Sequence, residues 1–279
     1  MLNLKTIKKV VTHFGVFHAD EVVAIALIIF FIKKFFNKED IVISRVAHQT
    51  EMSELELYDI IIDIGREYDQ VKKFDHHQYQ GGMASAGLIW KAIKESYNLK
   101  GYEEIDSLVK LVDQNDTGEK PSGNFELPSL ISRFNKDNIM TEEQNIAFNK
   151  AINFVIDMIE SIDNEVEIKK EAEQIINSSK DLFNGIVLEM PKFNRLWSHF
   201  INGETMKNVE FVIWEDKEQN QWSVQTTPKS IGSFERVGRG LPQVEDMQKY
   251  DMKFIHSGEF FACSNSKTGL LKYLKEVVL

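Results

Sequence analysis

Three potential metal ligands stand in consecutive positions, Asp75-His76-His77. A carboxylate beside two imidazoles suits Mn²⁺, Zn²⁺ and Fe²⁺. One tripeptide cannot complete a catalytic site, so the remaining donors must come from elsewhere in the chain. They stand mostly where hydrophobic runs end. His13, His18 and Asp20 lie upstream, Asp63 closes the run Ile60-Ile61-Ile62, and Asp113 and Asp116 follow Leu108-Val109-Lys110-Leu111-Val112. An Asp set between two metal ions ~3.5–4 Å apart can bridge them and hold a water for attack. Asp63, alone at the end of a predicted central strand, is the candidate bridge. The donor types favour Mn²⁺ or Mg²⁺ with some histidine contribution, and leave Zn²⁺ open. The chemistry that such a set can serve is two-metal hydrolysis, with phosphoester cleavage as the candidate.

The elements that must position these residues are legible as hydrophobic periodicity. Val10 to His13 reads as a short buried strand, and Gly15 punctuates the tight connection after it. His18-Ala19-Asp20-Glu21 opens a helix running to Phe36, with two carboxylates in its first turn to suit the helix dipole. On that reading Glu21 is a dipole partner only. Asp40 to Val46, Tyr58 to Ile64 and Val71 to Phe74 read as strands, and Ala84 to Tyr97 and Tyr102 to Val112 as helices. Gln80-Gly81-Gly82 reads as a loop. Strands alternating with helices predict an α/β fold, a mostly parallel sheet with helices on both faces. In such sheets ligands bind at the carboxyl ends of strands, where His13 and Asp63 fall.

Beyond that half, Asn124 to Asp137 reads as a connector with a short helical piece. A long helix is expected from Thr141 to Phe183, stopped by Asn184-Gly185. The domain boundary is placed there, giving residues 1–184 as the metal-binding domain and 185–279 as a smaller α+β domain. Strands are expected at Ile186–Met190, Val209–Trp214, Trp222–Thr226, Phe254–His256 and Phe260–Cys263. The second and third should form a hairpin, and Thr268 to Val277 a closing helix.

Composition limits the function classes. The chain of 279 residues has room for two domains, and 43% hydrophobic with 27% charged residues is ordinary for a soluble globular protein. A net charge of −10 argues against a duplex-DNA coat. It does not argue against an enzyme that takes a short phosphate chain through metal ions. The single cysteine, Cys263, excludes an intramolecular disulfide and fits a reducing compartment. It reads as a packing residue. The longest apolar run, Val22 to Ile32, falls short of the ~20 residues that span a bilayer. A cytoplasmic protein without a signal peptide or a membrane partner is expected.

The order His13, His18-x-Asp20, Asp63, Asp75-His76-His77, Asp116-Thr117-Gly118 resembles the four motifs of the DHH phosphoesterase superfamily. The closer resemblance is to its MYG branch. It is carried by Thr12 to Glu21, by Asp63-Ile64-Gly65-Arg66-Glu67-Tyr68-Asp69, by Phe74 to Gln78 and by Ser85-Ala86-Gly87-Leu88-Ile89. Toward the C-terminus it is carried by Trp222-Ser223-Val224-Gln225, Pro228-Lys229, Arg239-Gly240-Leu241-Pro242 and Phe254 to Phe260. The resemblance implies a DHH-type domain joined to a smaller C-terminal domain, with two divalent ions, Mn²⁺ first. One ion would take His13, His18 and Asp63, the other Asp20, Asp63, His76 and Asp116. His77 would face the substrate phosphate, and Asp75 would orient a histidine. Arg239, His256, Ser257 and Gly258 would bind substrate. The implied activity is phosphodiester hydrolysis, as a 3′–5′ exonuclease on short single-stranded RNA or DNA. Many relatives carry a Gly-Gly-Gly-His loop where this chain has Phe261-Ala262-Cys263-Ser264-Asn265, which would keep its backbone farther from a phosphate.

Other readings stay open. A small phosphorylated substrate, pyrophosphate or a cyclic dinucleotide, is the alternative within enzymes. A metal-binding regulatory protein without turnover is the alternative outside them. A second copy of the chain, in a homodimer, is a candidate partner. Ser85 either presents helix N–H groups to a phosphate or caps a helix. Arg239 and Lys229 either clamp a phosphate or are solvated charges. Phe14, Phe17 and Tyr79 could stack on a base, though the first two read as core. Asp113 is as readily a residue supporting a ligand as a surface one, and His48 and His199 carry no supporting spacing.

Overall fold

The computed structural model describes residues 1–78 and 81–279. The stacking residue Tyr79 and Gln80 of the predicted glycine loop lie outside the described residues. The chain divides into two compact units, Met1–Asn164 and Glu165–Leu279.

The first unit is an α/β unit built on a four-stranded parallel sheet. Its strands are β1 (Lys9–His13), β2 (Val42–Val46), β3 (Ile60–Ile62) and β4 (Lys73–Phe74), in the order β2-β1-β3-β4. Lys9 pairs with Val42 and Val10 with Ile60, both in parallel register. Val10 and Val11 point to opposite sides of the strand and both are fully buried, so both sheet faces are covered. On one face Val11 and Ile61 pack against Leu55 of the short helix α2 (Met52–Leu55). The parallel order and the β–α–β crossovers place the carboxyl ends of β1, β3 and β4 side by side.

Helix α1 (Ala19–Phe36) follows β1. It is apolar almost all round, and ten residues in a row, Ala19 to Ile28, are buried, which is the pattern of a core helix. It ends where Asn37 turns left-handed (φ 50°) and returns its N–H to the Lys33 carbonyl at 2.9 Å. Helices α3 (Ser85–Tyr97) and α4 (Glu103–Asp116) pack against α1, and α5 (Leu127–Ser132) precedes the long α6 (Glu142–Asn177). Helix α4 runs one turn past the predicted end at Val112. Asp113 and Asp116 therefore sit on the helix, three residues apart on one face, and not in a loop after it. Among the described residues no helix is long and apolar enough to cross a membrane.

The second unit carries a six-stranded mixed sheet. Its strands are β5 (Lys180–Leu182), β6 (Val187–Glu189), β7 (Phe211–Asp216), β8 (Gln221–Thr226), β9 (Met252–Ile255) and β10 (Phe261–Ser264), in the order β5-β6-β7-β8-β10-β9. The expected hairpin is β7–β8, with Phe211 opposite Thr226. Alternation along β7 builds two cores. Phe211 and Ile213 face the closing helix α7 (Lys267–Tyr273) through Leu270 and Tyr273, while Val212 and Trp214 face Ile175 and Ile176 of α6. The expected closing helix is shorter, because the chain widens into a π turn over Leu274–Val278.

The long helix also ends sooner than Phe183. Phe183, Asn184 and Gly185 are all left-handed (φ 51°, 58° and 81°) and turn the β5–β6 hairpin. Asn-Gly serves helix stops and hairpin turns alike, because both need positive φ. The division between the two compact units falls at Asn164–Glu165, inside α6. The last turns of α6 bury Ile175 and Ile176 in the second unit's core, so they belong with the residues that follow.

Candidate metal centre

Each donor arrives at the end of an element. His13 is the last residue of β1, Asp63 follows β3, and Asp75-His76-His77 follows β4. Asp20 and Glu21 lie in the first turn of α1, and Asp116 closes α4. Three groupings of potential ligands result: His13 with His18 and Glu21, Asp63 with His76 and His77, and Asp20 with His76 and Asp116.

Asp63 stands between them. Its Oδ2 is 3.2 Å from His13 Nε2, while its Oδ1 is 3.6 Å from His76 Nε2 and 3.4 Å from His77 Nδ1. The residue is left-handed at φ 55°, a conformation that costs a side-chain-bearing residue free energy and that Asp tolerates better than most. The strained backbone turns the carboxylate into the cluster. His13 donates from Nδ1 to the Phe14 carbonyl at 3.2 Å. A carbonyl can only accept, so Nε2 is the nitrogen left for a metal. His76 Nε2 also lies 2.9 Å from Asp116 Oδ2 and 3.9 Å from Asp20 Oδ2.

Several of these contacts are close without being aligned. Among the described residues, Asp63 Oδ1 and His76 Nε2 are buried and have no hydrogen-bond partner. Orphaned atoms of this kind need an explanation, and a bound cation supplies one. The charges agree. Burial and the neighbouring charges of Asp63 and Asp116 push the Asp20 carboxyl well above its ordinary range. Burial disfavours charge on His13, but Asp63 and Glu21 outweigh it and raise the ring to about 10. Burial likewise opposes charge on His76, and Asp116 and Asp63 raise it to about 10. In Asp63 the contacts with His13 and His76 outweigh burial and hold the carboxylate well below its usual range. Buried acids held together by protons on histidines are a site in which divalent cations can replace those protons. The donor set therefore fits divalent metal.

The surrounding contacts fix the candidate ligands. Asp20 accepts the N–H groups of Ser85 (3.0 Å) and Ala86 (2.6 Å), and Asp113 Oδ1 accepts those of Ala84 (3.1 Å) and Gly87 (3.0 Å). The start of α3 is thus committed to two carboxylates. Ser85 is fully buried, and its N–H is used by Asp20. Asp113 is buried and not a surface residue. Asp75 Oδ1 meets His77 Nδ1 at 2.8 Å and Asp75 Oδ2 accepts the Arg66 N–H at 2.7 Å. That contact with Asp75 raises the His77 ring's affinity for its proton.

A cleft of about 1100 Å³ opens over the cluster. His13, Asp63, His76 and Asp116 line it, with Phe14, His48 and Met140 among its walls. Phe17 is fully buried core. Two contributors escape a reading of the sequence. Glu21 is fully buried, accepts the His18 N–H with both oxygens at 3.1 Å and lies 3.1 Å from His13 Nε2, so it is more than a dipole partner. Its signal was the histidine three residues before it. His48 stacks on His13 with ring centroids 4.4 Å apart. Its only signal is its place two residues after β2, at the same sheet end as the ligands.

The C-terminal residues singled out in the sequence lie in the second unit. Arg239 donates its N–H to Glu210 at 2.9 Å, and its guanidinium is 3.7 Å from the same carboxylate. His256 Nδ1 accepts the Gly258 N–H at 2.9 Å. Lys229 pairs with Glu235 on the surface.

A parallel sheet gathers histidines and carboxylates at its strand ends around an open cleft, and the α/β unit so built carries residue clusters compatible with divalent metal. A family model described as "MYG1_exonuc: Uncharacterised protein family (UPF0160)" matches residues 9–278, and the chain belongs to that family. A MYG1 protein of Saccharomyces cerevisiae is 28% identical over 335 residues, covering 98% of this chain and 96% of its own. The MYG1 exonuclease of Rattus norvegicus is 26% identical over 328 residues, covering 96% and 84%. A MYG1 protein of Chlamydia pneumoniae is 34% identical over 157 residues, 53% of this chain and 51% of its own.

Proposed function

We infer that this chain is a divalent-metal-dependent phosphodiester hydrolase that shortens single-stranded RNA or DNA from the 3′ end. The observation that carries the reading is the position of Asp63, with one oxygen toward His13 and the other, buried and unpartnered, toward His76. Two divalent ions, Mn²⁺ first, would supply Lewis acidity and a nucleophile at neutral pH. His13, His18, Glu21 and Asp63 would hold one, and Asp20, Asp63, His76 and Asp116 the other.

His77 is about half exposed at the cleft, and Asp75 holds its Nδ1. The opposite nitrogen, Nε2, is then free to meet a phosphoryl oxygen. Because Asp75 favours the protonated ring, Nε2–H can donate to that oxygen, or to the oxygen that leaves as the P–O bond breaks. Asp75 orients and charges the ring and does not itself transfer a proton. Names of relatives agree with the reading, since two mammalian members are called exonucleases.

The test is hydrolysis of a 5′-labelled short RNA by chelated protein with Mn²⁺, Mg²⁺ or Zn²⁺ returned. A ladder that shortens from the 3′ end, absent with chelator and absent in Asp63→Ala, is the expected result. Full activity in Asp63→Ala would refute the bridging role. Bound metal with no cleavage of RNA or DNA would refute the nuclease reading and leave pyrophosphate or a cyclic dinucleotide to be assayed.

A further inference from the structure

The second unit contains a cleft of about 760 Å³ that the metal chemistry does not use. Its volume lies in the range of small-ligand sites, about 300–1,000 Å³. Among the described residues its lining holds Phe193, Trp197, Phe234 and Phe260, with Arg195 and Arg236, and no Leu, Ile, Val or Met.

The rings are presented, not merely exposed. Phe193 is 48% exposed and lies on Trp214 with centroids 4.8 Å apart. Phe260 is 43% exposed and lies on His256 at 4.2 Å. Each ring is backed by another ring and remains open to solvent. Phe234 sits in a loop closed by the Lys229 N–H to the Glu235 carbonyl (2.8 Å) and by a bridge between Pro228 and Arg236. It is fully exposed, at 105%. Arg236 is held at the cleft by the carbonyls of Glu259 (2.9 Å) and Gly258 (3.2 Å). Gly258 and the His256 that backs Phe260 belong to the motif expected to bind substrate. Supported aromatic faces beside guanidinium groups are the chemistry that takes stacked bases on a phosphate chain.

We propose that this cleft is a nucleobase-stacking subsite, in which Phe193, Phe234 and Phe260 take bases of a single strand while Arg236 faces its backbone. The inference rests on the nuclease reading of the metal centre.

The test compares two probes on the whole protein with Mn²⁺ present, by fluorescence anisotropy. One is a labelled five-nucleotide RNA with phosphorothioate linkages. The other is an abasic strand of the same length. Base–aromatic stacking is worth about 1–3 kcal/mol per base, so Phe234→Ala and Phe260→Ala should each weaken RNA binding roughly 5- to 150-fold. Neither should weaken binding of the abasic strand, and Phe234→Trp should restore RNA binding. Phe234 is fully exposed, so its loss cannot act through a collapsed core. If the wild type binds and cleaves RNA while both alanine variants bind it equally well, or lose the abasic strand to the same degree, the stacking subsite is wrong and the nuclease reading stands. If the wild type neither binds nor cleaves RNA, both are wrong.

Discussion

Replacing Gly87 by Ala sets two effects of opposite sign against each other. Gly87 is the third residue of α3, in the first turn of the helix. Intrinsic propensity favours Ala over Gly in a helix by about 1 kcal/mol, so propensity alone makes the substitution stabilising. The structure opposes it. A Cβ on Gly87 would fall within van der Waals overlap of Asp113 Oδ2 and 2.8 Å from its Cγ and Oδ1. Asp113 must then withdraw and give up the N–H groups of Ala84 and Gly87. Two such bonds are worth about 1–2 kcal/mol each, so the net effect is a destabilisation of roughly 1–3 kcal/mol. Urea unfolding followed by circular dichroism measures it. The double-mutant cycle isolates the cause: in an Asp113→Ala background the clash is gone, and Gly87→Ala should become neutral or stabilising. Stabilisation by Gly87→Ala in the wild-type background would refute the claim that Asp113 locks α3 against α4. Asp116 lies one turn along α4 from Asp113, so the same variant should also weaken Mn²⁺ binding.

Arg45→Lys should destabilise the protein by about 2–3 kcal/mol in the same assay. The guanidinium bonds the carbonyls of His13 (3.3 Å) and Gly15 (2.8 Å) and lies 4.5 Å from the Phe148 ring centroid, and an ammonium cannot keep that fork. The pH dependence of Asp113 has a definite sign. Burial raises its carboxyl to about 7, against about 3.9 in an unfolded chain, so its contribution is complete below about pH 4 and is lost as pH rises through 7. Urea stability of the wild type relative to Asp113→Asn should therefore fall between pH 4 and pH 7, and a difference that rises over that window would reverse the assignment.

How far the site was legible follows from where its residues sit. His13, Asp63 and Asp75-His76-His77 end apolar runs, and in a parallel sheet run ends become neighbours whatever their separation in the chain. Asp116 was identified by its motif, though its position on α4 and not after it was hidden, since Gln114 and Asn115 interrupt the apolar pattern without ending the helix. Glu21 obeys the ordinary rule for a first helical turn, and only the return of β1 beside it shows that its oxygens reach His13. His48 has no period to betray it, because a ring on a loop is placed by tertiary contact alone. The hairpin at residues 180–189 was masked by a real ambiguity: three-residue β5 is too short for alternation to register, and Asn184-Gly185 serves either ending. The lining of the second cleft comes from separate loops and strands, so no window of sequence contains it.

The central claim is that Asp63 joins two metal ions. Equilibrium binding of Mn²⁺ to chelated protein, with the wild type beside Asp63→Ala, tests it most directly. The account predicts two equivalents per chain in the wild type, with magnetic coupling between them in the electron paramagnetic resonance spectrum, and loss of that coupling in the variant. A single equivalent in the wild type, or two uncoupled ions that Asp63→Ala leaves untouched, would contradict it.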